Sequence, residues 1–220
     1  MSTTIAPRSS IAQLRAIWNE IGPDSCPLHY NFHMHTTCSD GQLNPLQLIH
    51  QARDIGLKGL AITDHHTLAG YHQAKELLTA SDDPILWSGI ELNVWLLDCE
   101  VHLLGYGFDP DHRRLTPYLR RQVAQGRDYF ASEAIAAIHA AGGLTVLAHP
   151  FRYRSSAERL VGAAAEVGVD GVETYYSYSN PCPWVPSSRQ TQVALDLARK
   201  HSLFTTCGTD THGPTLLQRI

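Results

Sequence analysis

The chain has 220 residues, 43% hydrophobic and 17% charged, with 16 glycines and 12 prolines, a mixture that buries a sizeable core in one large or two small domains. It excludes a disordered, collagenous or simple coiled-coil chain. Seventeen basic against 21 acidic residues give a net charge of −4, which argues against a surface that coats long nucleic acid, and no apolar run reaches the roughly 18 residues of a membrane span.

Met1 to Ser10 has no apolar stretch behind Arg8, so no secretory leader is expected. Residues 1–27 read as an N-terminal extension to a domain over 28–220. Leu28 to Thr36 alternates, with Leu28, Tyr30, Phe32 and Met34 on one side and His29, Asn31, His33 and His35 on the other, which predicts a strand. Asn44-Pro45 is a cap and first-turn pair for a helix over 46–55 that stops at Gly56. A buried strand over 57–63, a helix over 68–79 and strands over 85–92 and 100–106 follow. A long helix is predicted over 117–141, stopped by Gly142-Gly143. The remainder reads as strand 144–148, helix 157–167, strand 171–176, a Pro-rich loop, helix 188–201 and strand 203–208. Repeated β/α units of this kind predict a mostly parallel sheet. With no glycine-rich phosphate loop after the first strand, a distorted seven-stranded TIM-like (β/α) barrel is preferred to a doubly wound sheet.

The five cysteines are scattered, odd in number and never spaced C-x-x-C, which reads as reduced thiols in a cytoplasmic protein. Histidine is the anomaly, with 13 in the chain. His33-x-His35 lies on the first strand, where residues i and i+2 share a face, so both imidazoles can reach one ion. Asp40 follows in a Ser39-Asp40-Gly41 turn. Asp64-His65 ends the second strand, Glu91 the third and His149 a later one; His102 lies in the fourth, and Asp210-x-His212 follows the last. In a parallel barrel the strand ends converge on one face, where barrel enzymes carry their sites. A core does not bury so many polar groups without a compensating ligand, so a multinuclear metal site is expected. His50, His72, His139 and His201 fall in predicted helices, His29 and His112 in polar positions, and these are assigned no role.

His33-Met34-His35-Thr36-Thr37-Cys38-Ser39-Asp40-Gly41, Thr63-Asp64-His65, Gly89-Ile90-Glu91, His102, Ala148-His149-Pro150 and Gly208-Thr209-Asp210-Thr211-His212-Gly213 together resemble the PHP (polymerase and histidinol phosphatase) family, in the right order over about residues 30–214. The resemblance implies a distorted seven-stranded barrel holding three divalent ions, of Mn, Fe or Zn type. It assigns His33, His35, Glu91 and Asp210 to one ion and Asp40, His65 and His212 to a second. His102, His149 and a bridging oxygen of Glu91 take the third, and Asp64 supports a ligand instead of binding metal.

Three divalent ions balanced by Asp40, Glu91 and Asp210 leave a charge of about +3, which suits a phosphate ester attacked by a metal-activated hydroxide. Arg152 and Arg154 are candidates to clamp a second phosphate. Tyr175 and Tyr176 are candidate substrate contacts. The stretches around His149 and Glu173 resemble stand-alone family members that act on nucleoside bisphosphates and short oligoribonucleotides. Those relatives carry an inserted lid between the fourth-strand histidine and the Ala-His-Pro motif, and here that insertion is missing or reduced. Asn31 stands where the family has Asp. The expected substrate is therefore a small phosphate ester or short oligonucleotide, with no long duplex, membrane or obligate protein partner. A histidinol-phosphate-type phosphatase is the alternative within the class. An amidohydrolase would want a bridging lysine, and none of Lys58, Lys75 and Lys200 is placed for it. A non-catalytic metal-binding regulatory module is the remaining alternative, set against nine intact ligand positions.

Overall fold

A small parallel sheet and a larger mixed sheet meet where the histidines gather. The structure, a computed structural model, describes residues 10–220; the expectation about a leader at Met1 to Ser10 falls outside these residues but for Ser10. One sheet is the parallel set β1 (Tyr30–Asn31), β2 (Gly59–Ala61) and β3 (Ile85–Trp87). The other runs in order through β4 (Gly89–Leu96), β5 (Cys99–Tyr106), β6 (Leu144–Leu147), β7 (Gly171–Tyr175) and β8 (Phe204–Cys207). The β4–β5 and β5–β6 pairs are antiparallel and the last two are parallel. The fold is therefore mixed α/β, with parallel pairing at its ends and an antiparallel hairpin between.

Hydrogen bonds outside the ladders join the two sheets. Phe32 N–H donates to Cys207 O at 3.1 Å and Asp210 N–H to His33 O at 2.8 Å, while His66 N–H donates to Glu91 O at 3.1 Å. These seams bring the segment after β1 beside the segment after β8, and the segment after β2 beside β4. Gly208 makes the first seam possible, because a Cβ built there would stand 2.2 Å from the His33 Cβ. Gly208→Ala is expected to cost about 1–3 kcal/mol by overpacking, read as a lower thermal midpoint of the metal-free protein.

Helices cover the sheets. α1 (Ile11–Trp18) is capped by Ser10 and places Trp18 edge-on against Tyr106 at 5.3 Å. α2 (Pro45–Ile55) has the expected Asn44 cap, reciprocated by Gln47, and ends in left-handed Gly56. α3 (Ala69–Leu77), α4 (Ala131–Ala140), α5 (Ala157–Glu166) and α6 (Ser188–His201) follow. Each buries one apolar stripe, as amphipathic spacing requires. Among the described residues no helix is long and apolar enough to cross a membrane.

Three expectations need correction. The strand over 28–36 is reduced to Tyr30–Asn31, and Leu28 is 53% exposed while His33 and His35 are fully buried. Its polar face turns inward on other polar groups, so alternation here did not separate core from solvent. The strand over 85–92 breaks at Ser88 into β3 and β4, which pair in different sheets. The long helix over 117–141 is two 3₁₀ turns, 113–118 and 126–129, followed by α4 alone. Arg121 and Gly126 take left-handed φ of 58° and 62° inside this stretch, so no continuous helix passes through it.

Candidate metal centre

Nine side chains named from the sequence arrive at one place: His33 and His35 after β1, Asp40 in the next turn, His65 after β2, Glu91 and His102 inside β4 and β5, His149 after β6, and Asp210 and His212 after β8. Glu91, on β4, stands at the middle. Its Oε2 lies 3.1 Å from His33 Nε2, 3.0 Å from His35 Nε2 and 3.5 Å from His65 Nε2. Its Oε1 lies 2.8 Å from His102 Nδ1 and 3.4 Å from His149 Nε2. Asp210 Oδ1 faces His33 and His35 at 3.3 and 3.2 Å. Asp40 closes the outer edge, with Oδ2 3.3 Å from His212 Nε2 and 3.8 Å from His65 Nε2. Asp210 and His149 sit at left-handed φ of 54° and 27°, uncommon for such residues and a mark of sites where surroundings hold a side chain in place.

These spacings fit divalent cations. Two ligand atoms each about 2.1 Å from one ion at ordinary coordination angles lie about 3.0–3.4 Å apart. Ligand atoms that close on one another form the groups His33, His35, Glu91, Asp210; His35, Asp40, His65, His212; His65, Glu91, His102; and His33, His149, Glu173. Both ring nitrogens of His35, Nδ1 of His65 and Nε2 of His149 are buried with no hydrogen-bond partner. A buried polar atom left in that state costs about 1–3 kcal/mol. His35 Nε2 lies within 3.0 Å of Glu91 without aligning as a hydrogen bond, as expected of lone pairs converging on a common point. The residues present therefore fit a divalent metal.

The charge state says the same from another side. Burial alone would depress His35, but its contacts with Asp210 and Glu91 overcome it and push it up to about 9. His33 is also raised, burial being outweighed by Glu91, Glu173 and Asp210. Burial lowers His65 to about 4 and depresses His149. Burial opposes ionisation of Glu91 and Asp210, but neighbouring imidazoles, His33 foremost, hold both well below the usual carboxylate range. Two protons thus occupy the place of cationic charge among buried carboxylates.

Around these lies a ring of supporting groups. Glu173 accepts from His33 Nδ1–H at 2.9 Å and from the His149 backbone N–H at 2.9 Å, so it fixes which ring nitrogen of His33 faces the centre. Glu173→Gln keeps the shape and weakens that hold; a 10- to 100-fold loss of metal affinity is expected, read by competitive metal titration. Tyr153 OH lies 3.1 Å from His149 Nδ1 and accepts from His102 N–H. Asp210 Oδ2 accepts from Tyr176 OH at 2.7 Å, Arg152 at 2.8 Å and Arg219 at 2.8 Å. Asp64 accepts from Thr36 N–H, Thr36 Oγ1 and Ser39 Oγ, and so holds the turn leading to Asp40. Asn31 bonds Thr209 at both backbone and hydroxyl, pinning the loop before Asp210.

Two named residues lie elsewhere. Arg154 donates to the Asp98 carbonyl at 2.6 Å in the β4–β5 turn, a partner that occupies part of its guanidinium away from the cluster. Tyr175 is buried in the core that includes Cys26, Trp184 and Cys207, whereas Tyr176, one residue on, reaches Asp210. Glu173, Arg219 and Tyr153 were not singled out from the sequence. A carboxylate within the otherwise uncharged, fully buried Gly171–Tyr175 run is the signal that could have flagged Glu173. Arg219 carries no sequence signal; only the folded C-terminal segment brings it to Asp210.

Known proteins share this arrangement of chain. The PHP domain profile matches residues 31–170. The 5′-3′ exoribonuclease Rnm of Escherichia coli (strain K12) is 29% identical over 257 aligned positions, covering 84% of this chain and 85% of that protein. The 3′,5′-nucleoside bisphosphate phosphatase of Chromobacterium violaceum is 32% identical over 112 residues, or 51% of this chain and 39% of its own. A crystal structure from Bifidobacterium adolescentis, whose assignment as a metal-dependent phosphoesterase is itself an inference, superposes with TM-score 0.68 at 25% identity. It covers 86% of this chain and 89% of its own.

Proposed function

The chain belongs to the PHP domain family, and on that premise we propose that it is a metal-dependent phosphoesterase acting on nucleotides or short oligonucleotides. The observation that carries this is the sharing of Glu91 between five imidazoles at metal-ligand spacing. Three divalent ions, of Mn, Fe or Zn type, would be held by His33, His35, Glu91 and Asp210; by Asp40, His65 and His212; and by His102, His149 and Glu91. Divalent ions in such a centre supply Lewis acidity toward phosphoryl oxygens and make a water acidic enough to attack near neutral pH.

The protein's own residues orient and select. Glu173 presents His33, Asp64 presents Asp40, and Tyr176, Arg152 and Arg219 keep Asp210 ionised and directed. Arg152 is half-exposed and spends one nitrogen on Asp210 and Tyr176, leaving its other donors for a substrate phosphate. A cleft of about 310 Å³ opens beside it, lined by Arg152, Tyr176, Ser177, Tyr178 and Arg219. Its two guanidiniums and hydroxyls match a second phosphate or a ribose. Arg154 turns to the Asp98 carbonyl, and Tyr175 lines a different cleft with Cys26, Trp184 and Leu195, so Arg152 and Tyr176 carry the substrate role.

Residues 28–220 form the catalytic domain and 1–27 its extension, from which α1 packs on the core. The two sheets form a distorted (β/α)7 barrel of TIM-like type if β3 and β4, separated by Ser88 alone, count as one bent stave; the seams at Phe32–Cys207 and His66–Glu91 support that closure. The alignment to the Escherichia coli relative spans more positions than this chain has residues, which supports a lid reduced by deletion. Five free thiols among the described residues favour a cytoplasmic enzyme.

Phosphate and mononucleotide release with Mn²⁺ tests the proposal. The panel is a nucleoside 3′,5′-bisphosphate, a short 5′-phosphorylated RNA, histidinol phosphate and an aryl phosphate, with Asp210→Ala as blank. Selective turnover of either nucleotide is expected. No turnover above the blank, with metal verified as bound, would favour a non-catalytic module.

A further inference from the structure

From His112 through Arg127 there are five arginines, Arg113, Arg114, Arg120, Arg121 and Arg127, and no acidic residue, on a chain whose net charge is −4. This segment occupies the place of the reduced lid, and it is anchored at the metal centre. Arg121, at a left-handed φ of 58°, donates its backbone N–H to His66 O at 3.0 Å, one residue from His65. Further on, Phe130 bridges to Trp95 on β4. The Arg120 and Arg121 side chains are exposed, and among the described residues neither has an ion pair or side-chain hydrogen bond.

The hairpin beside this segment continues the face of the metal centre outward. The pairs Glu91–Leu104, Asn93–His102 and Trp95–Glu100 stand on one side of β4 and β5, because cross-strand partners share a face. Trp95 therefore lies beyond His102 as Glu91 lies behind it. Tyr129 packs against Trp95 with ring centroids 6.2 Å apart, and its hydroxyl donates to Glu100 at 2.5 Å. Asn93 holds the other Glu100 oxygen at 2.9 Å. Both rings are partly exposed. Unpaired guanidiniums on the same segment that lays Tyr129 against Trp95 supply the two groups that grip single-stranded nucleic acid, phosphates on the cations and bases on the rings.

We infer that Arg120 and Arg121, with Trp95 and Tyr129, form a rest for the nucleotides of a single-stranded oligonucleotide that lie beyond the one being hydrolysed. The inference rests on the phosphoesterase reading and narrows its substrate from mononucleotides to oligomers. Duplex is disfavoured because stacking on Trp95 needs an open base.

The test separates the two claims. A 3′-fluorescein-labelled, 5′-phosphorylated ten-nucleotide RNA is titrated by anisotropy into the full chain in chelator, where it stays uncleaved. R120Q/R121Q is expected to weaken binding about tenfold at low salt and to lower the slope of log Kd against log salt by about 1.4, near 0.7 for each lost contact. Tyr129→Leu is expected to weaken binding about fivefold with the slope unchanged, as stacking requires. Nucleoside bisphosphate turnover by metal-loaded R120Q/R121Q should stay within about twofold of wild type. An unchanged affinity and slope in R120Q/R121Q would overturn the inference while leaving the enzyme reading standing. Binding through these arginines without hydrolysis of either substrate would support the surface and overturn the phosphoesterase.

Discussion

Glu91→Gln is expected to lower turnover by about 10³-fold or more and to reduce the number of bound divalent ions, without unfolding the chain. The size follows from position. One carboxylate faces five imidazoles, two through Oε1 and three through Oε2, so losing its charge weakens more than one cation site at once. The metal-free variant should also be less stable, by about 3–5 kcal/mol, because protonated His33 and His35 lose a buried counter-charge. Metal content by elemental analysis and the thermal midpoint in chelator check both parts. His50→Ala, on the exposed face of α2, serves as the control and should change neither.

The second large effect is on pH. In the metal-free protein His35 titrates at about 9, above the roughly 6.5 of an unfolded histidine, and His33 is raised in the same direction. A raised histidine stabilises the fold fully below its unfolded value, and the benefit is lost as pH climbs through the folded one. His35 alone is worth about 3 kcal/mol on this argument. His65 and His149, being depressed, act the opposite way and only below about pH 6.5. The chelator-treated protein should therefore melt highest near pH 6.5 and lose stability toward pH 9. Metal binding must displace those protons, so metal affinity should rise over the same window and binding should release protons into the buffer. Calorimetry of Mn²⁺ binding in buffers of different ionisation enthalpy reads that release directly. A metal affinity flat from pH 6.5 to 9 would show that His33 and His35 are not ligands.

The gathering of these nine side chains in one place was legible from the sequence, because they come from strands and the short turns that follow them. His33-x-His35 and Asp210-x-His212 each present paired donors locally, and the order of the strands did the rest. Legibility stopped where a residue's role depends on distant packing. Arg152 and Arg219 meet at Asp210 only through folding. The role of Tyr176 over Tyr175 depends on an irregularity in β7 between Glu173 and Tyr175 that no periodicity shows. Alternation misled at Leu28–Thr36 because Leu28 and His29 are both exposed whereas from Asn31 to Thr36 both faces are buried, one against the core and the other in the histidine and carboxylate cluster. The helix at 117–141 failed on local chemistry that was present in plain view at Gly126. Helix α1 went unpredicted although Ile11, Leu14, Trp18 and Ile21 have helical spacing; all but Ile11 are buried.

The most direct test strips the enzyme with chelator and restores divalent ion stepwise, following bound metal by elemental analysis and phosphate release from a nucleoside 3′,5′-bisphosphate or 5′-phosphorylated RNA. Activity is predicted to be absent in the stripped protein and to return in step with occupancy up to three ions per chain, and to stay lower by about 10³-fold or more in Glu91→Gln at any metal concentration. Turnover that persists after stripping, or that Glu91→Gln retains, would contradict a metal-dependent phosphoesterase built on this cluster.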